Sequence, residues 1–349
     1  MKSINISNRE ISDSSPTFII AELSANHNQM FEIAVETIKA AKAAGADAIK
    51  LQTYTADTIT LDSPNECFQI KQGTLWDGKT LHQLYKEAYT PWDWQPKLKE
   101  IAEDLGLICF SSPFDKTSVD FLEKMKVPAY KIASLEITDI PLIEYVASKG
   151  KPVIISTGVA TLSDIDDAIK ACKRSGNDQI ALLKCTSVYP TPFEDANLRT
   201  IPNLAETFKV LVGLSDHTLG ISVPIASVVL GARIIEKHFI LNRDLGGPDA
   251  AFSLDPSEFE QMVTHVREVE KALGTVTYEL TEKAKASREY ARSLFVVEDM
   301  KAGDVLTAQN IRSIRPGNGL APKYLNEVLG RKVEISVEKG TPLSWDLMA

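Results

Sequence analysis

The sequence predicts a (β/α)8 TIM barrel followed by a small, mostly β domain, and three observations carry that prediction. Short apolar runs alternate with stretches of helical spacing eight times in about 260 residues. Parallel strands need helical crossovers, and eight such units close on themselves. Polar clusters stand where the apolar runs end, which is where a barrel of this kind carries its chemistry. After residue 288 the texture changes to short β-like runs broken by Lys-Ala-Gly-Asp, Arg-Pro-Gly-Asn-Gly and Lys-Gly-Thr-Pro turns. The expected divisions are a barrel over 1–273, a polar connector over 274–288 and the second domain over 289–349.

Phe18–Ala21 reads as the first strand and Phe31–Ala44, ending at Gly45, as its helix. Ala48–Gln52 reads as the second strand. A long irregular segment, Thr53–Thr90, follows it, and then a helix that Pro91 opens and Asp104 ends. Leu107–Ser111, Ala129–Ile132 and Val153–Ser156 are the next strands, with helices at Thr117–Met125, Ile140–Ser148 and Ser163–Ser175. Ile180–Lys184 is strand six, with a helix within 198–208. Val212–Leu214 and Ile234–Lys237 complete the barrel, followed by helices at Val223–Leu230 and Pro256–Leu273. In the second domain Leu294–Val297 and Lys332–Ile335 read as strands.

At 44% hydrophobic and 24% charged residues the composition is that of an ordinary globular protein. A net charge of −9 argues against nucleic acid or an anionic membrane surface as partner. Met1–Pro16 is polar and has no apolar core of the kind a signal peptide carries. The longest apolar run, Leu219–Ile235, is interrupted by Ser222, Gly231 and Arg233 and is too short to span a bilayer. Cys67, Cys109, Cys172 and Cys185 show no paired spacing, as expected of reduced thiols in a cytoplasmic protein.

The stretch Leu211–Phe239 holds the densest chemistry. Its two apolar strands end in Ser215-Asp216-His217 and Glu236-Lys237-His238. Side chains alternate along a strand, so Ser215 shares a face with His217, and Glu236 with His238. On adjacent barrel strands both imidazoles would reach one rim and hold one divalent metal. The other strand ends supply Glu22, Lys50, Gln52, Ser112, Lys131, Ser134, Glu136, Ser156, Lys184, Ser187 and Tyr189. Lys50, Lys131 and Lys184 sit inside apolar runs, where an unpaired ammonium is costly, so each should have an anionic partner. Three lysines at one cavity, with hydroxyls between them, describe a pocket for a phosphate and a carboxylate. A metal on two neutral imidazoles keeps positions open to polarise a carbonyl. Two imidazoles plus oxygens suit Mn²⁺, although geometry rather than ligand type decides, and Zn²⁺, Co²⁺ and Mg²⁺ stay open. The residues alone stop at metal-assisted carbon–carbon chemistry on a phosphorylated acid.

The motifs FIIAELSANHN (18–28), AGADAIKLQTY (44–54), FSSPFD (110–115), AYKIASLE (129–136), ISTG (155–158), LKCTSVYPTPFED (183–195), GLSDHT (213–218), EKHF (236–239) and RPGNG (315–319) add a resemblance. Together, and in this order, they resemble the sialic acid synthase family over nearly the whole chain. The second domain looks like the antifreeze-like SAF module of these synthases, although it has no regular threonine array for binding ice. Within the family, the insert GTLWDGKTLHQLYKEAYTPWDW resembles the pseudaminic acid synthase branch more than the N-acetylneuraminate branch. The resemblance implies condensation of phosphoenolpyruvate with an open-chain amino-sugar aldehyde, giving a nine-carbon 2-keto acid and phosphate. For the pseudaminate branch the sugar is 2,4-diacetamido-2,4,6-trideoxy-L-altrose.

By the same resemblance His217 and His238 bind the metal and Glu22 is the acid/base group. Lys50, Ser112, Lys131, Ser134, Ser156 and Ser215 would cradle phosphoenolpyruvate. Gln52, Tyr189, Glu136 and Asp249 would face the sugar. Arg315 would come from the small domain of a swapped partner chain, which implies a homodimer. His27 also falls in a motif, where packing explains it as well as chemistry does. Ser112 and Ser187 depart from the threonine and asparagine of the neuraminate branch, which bears on the sugar and not on the reaction.

Three other readings compete. A Schiff-base aldolase would use one of the lysines as its amine and need no metal. A metallohydrolase would want a His-x-His pair on the first strand, where Glu22 stands instead. A sugar-binding protein without catalysis would leave the inward lysines unused.

Overall fold

The computed structural model describes residues 3–71 and 73–349. They form two compact units, divided between Gly274 and Thr275. Unit 1 opens with an antiparallel hairpin, β1 (Ser3–Ile6) and β2 (Arg9–Ser12). The polar lead had hidden it. Ile4, Ile6 and Ile11 face inward and join Phe18 in the core, which the alternation of apolar and polar residues in SINI and REIS permits.

Eight parallel strands then close a barrel in the order β10-β3-β4-β5-β6-β7-β8-β9. They are β3 (Phe18–Glu22), β4 (Ala48–Thr53), β5 (Ile108–Pro113), β6 (Tyr130–Ile132), β7 (Val153–Ser156), β8 (Ile180–Cys185), β9 (Leu211–Asp216) and β10 (Ile234–His238). All eight expected strands are present, with ends shifted by up to two residues. Their outward side chains pack on the helices and their inward ones fill the barrel, so most of the core residues are fully buried.

Helix starts follow capping chemistry. Thr161 accepts from the Asp164 amide and opens the helix Leu162–Arg174, one residue ahead of the expected start. The helix expected from Pro91 begins instead at Gln95, with Pro96 in its first turn. Gln95 decides this: its buried amide donates to the carbonyls of Gln52 and Thr90 and accepts from Thr53, which pins the chain before the helix starts.

The segment 53–90 is not wholly irregular. It holds two helices, Ala56–Ile59 and Leu81–Ala88, the second with a Thr80/Gln83 capping box. None of the helices among the described residues is long and apolar enough to cross a membrane.

In unit 2, residues 275–281 lack regular structure and Glu282–Arg288 is a helix. Strands β11 (Ser293–Val296) and β12 (Ile311–Ile314) pair antiparallel over a small core of Leu294, Val296, Leu306, Val328 and Val333. Lys332–Ile335 is not a strand. It makes only single bridges, Val305 to Lys332 and Val333 to Met348, because the core claims Val333 but leaves Ile335 exposed.

Candidate active site

Strand register decides which side chains enter the barrel. Glu22 lies beside Lys50, Gln52 beside Ser112, and Ser215 beside Glu236. Alternation then points Glu22, Lys50, Gln52, Ser112, Lys131, Ser156, Ser215, Glu236 and His238 to the interior. Lys50 pairs with Glu22 at 2.8 Å and Glu236 at 3.4 Å, and Lys131 pairs with Glu236 at 3.3 Å. Both lysines are 2% exposed, so the anionic partners that burial demanded are carboxylates of the protein itself. Gln52 donates to Glu22 at 2.8 Å, Ser215 to Glu236 at 2.9 Å, and Lys50 reaches Ser112 at 3.4 Å.

Burial alone would raise the pKa of Glu22. The charges of Lys50, His238 and Lys131 outweigh it and hold the carboxyl well below the usual carboxylate range. Burial would likewise lower Lys50, yet Glu22 and Glu236 raise it above an ordinary lysine. At Lys131 burial prevails over Glu236 and the pKa is lowered.

Above these charges opens a cavity of about 580 Å³, lined by Glu22, Lys50, Gln52, Lys131, Ser134, Glu136, Ser156, Tyr189, Ser215, His217, His238 and Asp249, among others. Several of its polar atoms are buried without a hydrogen-bond partner: Ser156 Oγ, Glu136 Oε2, Glu236 Oε2 and His238 Nδ1. Such groups at one cavity are free to meet water, an ion or a substrate there. Ser134 accepts from the Val159 amide, and Asp249 accepts from Ser24 Oγ and the Ala25 amide.

Burial pushes the Glu136 carboxyl up to about 7. The sign follows from proton counting. Between about pH 4.5, the ordinary glutamate value, and about 7 the folded chain holds a proton that the unfolded chain has released. The Glu136 contribution to stability is therefore full at low pH and is lost as pH rises through 7, by roughly 3 kcal/mol. Subtracting the stability–pH curve of Glu136→Gln from that of the wild type should leave this slope; a flat difference would show the carboxyl ionised at neutral pH.

The two imidazoles meet at the rim with ring centroids 5.2 Å apart. His217 Nδ1 donates to the Thr186 carbonyl at 3.1 Å, which leaves the lone pair on Nε2. His238 lies 3.3 Å from Glu22 through Nε2 and 3.7 Å from Asp249 through Nδ1. Tyr189 packs against His217 with centroids 4.4 Å apart and rings tilted by 51°, and Phe252 lies against His238 at 4.9 Å. The donor set suits a divalent ion, since a neutral nitrogen of His217 and the unpartnered Nδ1 of His238 are both available. Among the described residues no group of three or more His, Cys, Asp or Glu side chains is arranged to hold an ion. The protein would thus supply two ligands and leave the rest to substrate and water.

One expected site residue lies elsewhere. Lys184 does not reach the large cavity: on β8 it is Cys185 that faces inward, and Lys184 Nζ donates instead to the Cys185 carbonyl and Thr186 Oγ1. Its pKa is lowered, chiefly by burial. His27 is fully buried, donating to Thr90 and accepting from the Gln29 amide, with burial lowering it to about 4. That makes it a fixed loop histidine. Arg315 is exposed on unit 2. Glu236 and Ser187, read from the sequence as polar strand ends without an assigned role, also line the cavity, and so do Cys185 and Trp76, which were not singled out for it. Glu236 was legible, since it stands two residues before His238 on the same strand face. Trp76 was not, because only the fold brings its indole N–H to the Pro248 carbonyl at 3.1 Å.

The NeuB family matches residues 37–278 and the SAF domain matches 291–348. The chain is 48% identical to a pseudaminic acid synthase of Campylobacter jejuni, covering 93% of this chain and 95% of that one. It is also 48% identical to the pseudaminic acid synthase of Helicobacter pylori, over 95% of this chain and 97% of the other. Among solved structures, N-acetylneuraminic acid synthetase of Leptospira borgpetersenii in complex with citrate superposes with a TM-score of 0.73 at 32% identity, covering 82% of this chain and 95% of that one. A charged barrel floor, a paired imidazole rim and this likeness along the chain agree: the protein belongs to the NeuB family.

Proposed function

We propose that the chain condenses phosphoenolpyruvate with 2,4-diacetamido-2,4,6-trideoxy-L-altrose, releasing phosphate and a nine-carbon 2-keto acid, as a pseudaminic acid synthase does. The observation that carries the reading is the pairing, in one cavity, of two buried lysines with two rim imidazoles. The lysines match a substrate with a phosphate and a carboxylate. His217 and His238 would hold a divalent metal, Mn²⁺ by donor type, with Mg²⁺ or Co²⁺ as alternatives; when bound it supplies a Lewis acid for the sugar carbonyl.

In the reaction C3 of the enolpyruvyl group bonds to the aldehyde carbon, whose oxygen takes up a proton. Positive charge develops at C2, water adds there, and the resulting tetrahedral carbon expels phosphate. Lys50, Lys131, Ser134, Ser156 and Ser215 fix the anionic substrate, so that water reaches C2 from one side only. Glu22 is ionised and stands ready as the base. Lys50 and Lys131 hold its proton affinity low until they turn to the substrate anions, which frees the carboxylate to take a proton from the water.

Phosphate release from phosphoenolpyruvate should require both the diacetamido aldose and a divalent ion. Absence of release with every amino-sugar aldose overturns the synthase reading, and activity that survives chelation favours the Schiff-base route instead.

Two further outcomes test the assignment. A Cβ on Gly158 would lie 2.3 Å from Ser187 Oγ and 2.6 Å from Ser134 Oγ. Gly158→Ala therefore displaces both hydroxyls and should raise the KM for phosphoenolpyruvate about tenfold or more, with little change in Tm. An unchanged KM would remove Ser134 from the phosphate cradle. The chain is also proposed to act as a homodimer in which Arg315 of one copy serves the sugar pocket of the other. Arg315→Ala should then raise the KM of the aldose more than that of phosphoenolpyruvate, whereas equal effects would make the small domain a scaffold. The four free cysteines support a reducing, cytoplasmic location.

A further inference from the structure

The helix Leu81–Ala88 carries an apolar stripe that neither core of the barrel uses. Leu81, Leu84, Tyr85 and Ala88 recur at i, i+3, i+4 and i+7, so they share one helix face. All four line the 580 Å³ cavity, together with Ile59 and Ile70 of the same insert. Leu84 and Ile70 are each 8% exposed, yet neither is part of the two hydrophobic clusters that pack the barrel. An amphipathic helix ordinarily turns its apolar face to a protein core. This one turns it to the space where substrate would lie.

The cavity is consequently two-sided. Its floor and rim carry Glu22, Lys50, Lys131, Glu236 and the two imidazoles, while the insert presents mainly carbon, with Thr74, Trp76 and the Tyr85 hydroxyl as its polar groups. Tyr54 and Phe114 continue the apolar side, packed edge to face with centroids 5.0 Å apart. The wall is held in place. The Thr80/Gln83 capping box fixes the start of its helix, and the Trp76 indole ties the insert to the Pro248 carbonyl.

We propose that this wall is the surface that selects the sugar. It receives deoxygenated carbons and acyl methyl groups, and it rejects an aldose that presents a hydroxyl at the same place. The proposal rests on the synthase reading above and names the residues that would make a deoxy, acylated aldose the preferred one. Ile59, Ile70, Leu81, Leu84 and Ala88 have no donor or acceptor in their side chains. A hydroxyl pressed against them would give up its water and gain no partner. Discrimination by an apolar wall against one added hydroxyl is about a hundredfold.

The test compares 2,4-diacetamido-2,4,6-trideoxy-L-altrose, its counterpart bearing a 6-hydroxyl, and N-acetylmannosamine. Phosphate release and calorimetric binding of each aldose alone are measured for the wild type, Leu84→Asn and Leu84→Met. In the wild type the added hydroxyl should lower kcat/KM about a hundredfold. Leu84→Asn should narrow that ratio about tenfold by weakening the deoxy sugar, with the KM for phosphoenolpyruvate unmoved. Leu84→Met, which keeps the wall apolar, should retain the ratio. Equal kcat/KM for the deoxy and hydroxylated sugars, or an unaltered ratio in a folded Leu84→Asn protein, overturns the proposal. If no aldose releases phosphate, the synthase reading fails, and the binding arm still decides on the wall: preference for the deoxy sugar supports it and equal affinity refutes it.

Discussion

His217→Ala and His238→Ala should each reduce metal-dependent phosphate release by about a thousandfold. A Lewis acid at the aldehyde contributes several kcal/mol to the transition state, and each 1.36 kcal/mol is a factor of ten in rate. With only two imidazoles to offer and no third side-chain ligand in place among the described residues, losing either leaves one ligand and a weakly held ion. The rings are 5.2 Å apart and packed by Tyr189 and Phe252, so truncation leaves their neighbours well supported. Steady-state kinetics with Mn²⁺, together with metal content after dialysis and a Tm, separates loss of the ion from loss of the fold. Near-normal turnover in either variant would refute the pair as the metal site.

The second large effect is expected at Glu236. Its Oε1 serves Lys50, Lys131 and Ser215 at once, and the carboxylate is 1% exposed. Glu236→Ala leaves two buried ammonium groups with Glu22 as their remaining close counter-charge. Removing one partner of a buried ion network costs about 3–5 kcal/mol, because the other charges stay behind uncompensated. Phosphoenolpyruvate should restore more stability to this variant than to the wild type, since its anions replace the missing carboxylate. Denaturant unfolding with and without the ligand measures both quantities. A loss under about 1 kcal/mol would mean that water or deprotonation already neutralises the lysines.

The same four charges explain how the site reads without ligand. Two lysines and two carboxylates nearly cancel in formal charge at the cavity floor. On the proposed function, a substrate phosphate would have to compete with Glu236 for Lys50 and Lys131. That competition would couple binding to catalysis, because each lysine drawn toward the substrate would raise the proton affinity of Glu22.

Repetition of apolar run and amphipathic helix was enough to determine the barrel, since period and length distinguish strand from helix within each unit. The period of two also determined that Ser215, Glu236 and His238 face inward, and the five histidines could be narrowed to a pair by position alone. Lys184 shows where that logic ends. Its run resembles those of Lys50 and Lys131, but which face enters the barrel depends on register with the neighbouring strand. The pairing of Cys185 with Ser215 sends Lys184 out. Pro91 failed as a helix start because the buried side chain of Gln95 claims the backbone just before it. Lys332–Ile335 failed as a strand because it found only isolated bridges in unit 2.

The amino-acid sequence by itself thus determined the element order, the polar strand ends and the imidazole pair, all of which follow from local periodicity. Only the tertiary structure decided the ion network of Glu22, Lys50, Lys131 and Glu236, and the turning of the Leu81–Ala88 stripe toward the cavity. Both depend on contacts between residues far apart in the chain, where strand register and loop closure choose among partners that local pattern leaves equivalent.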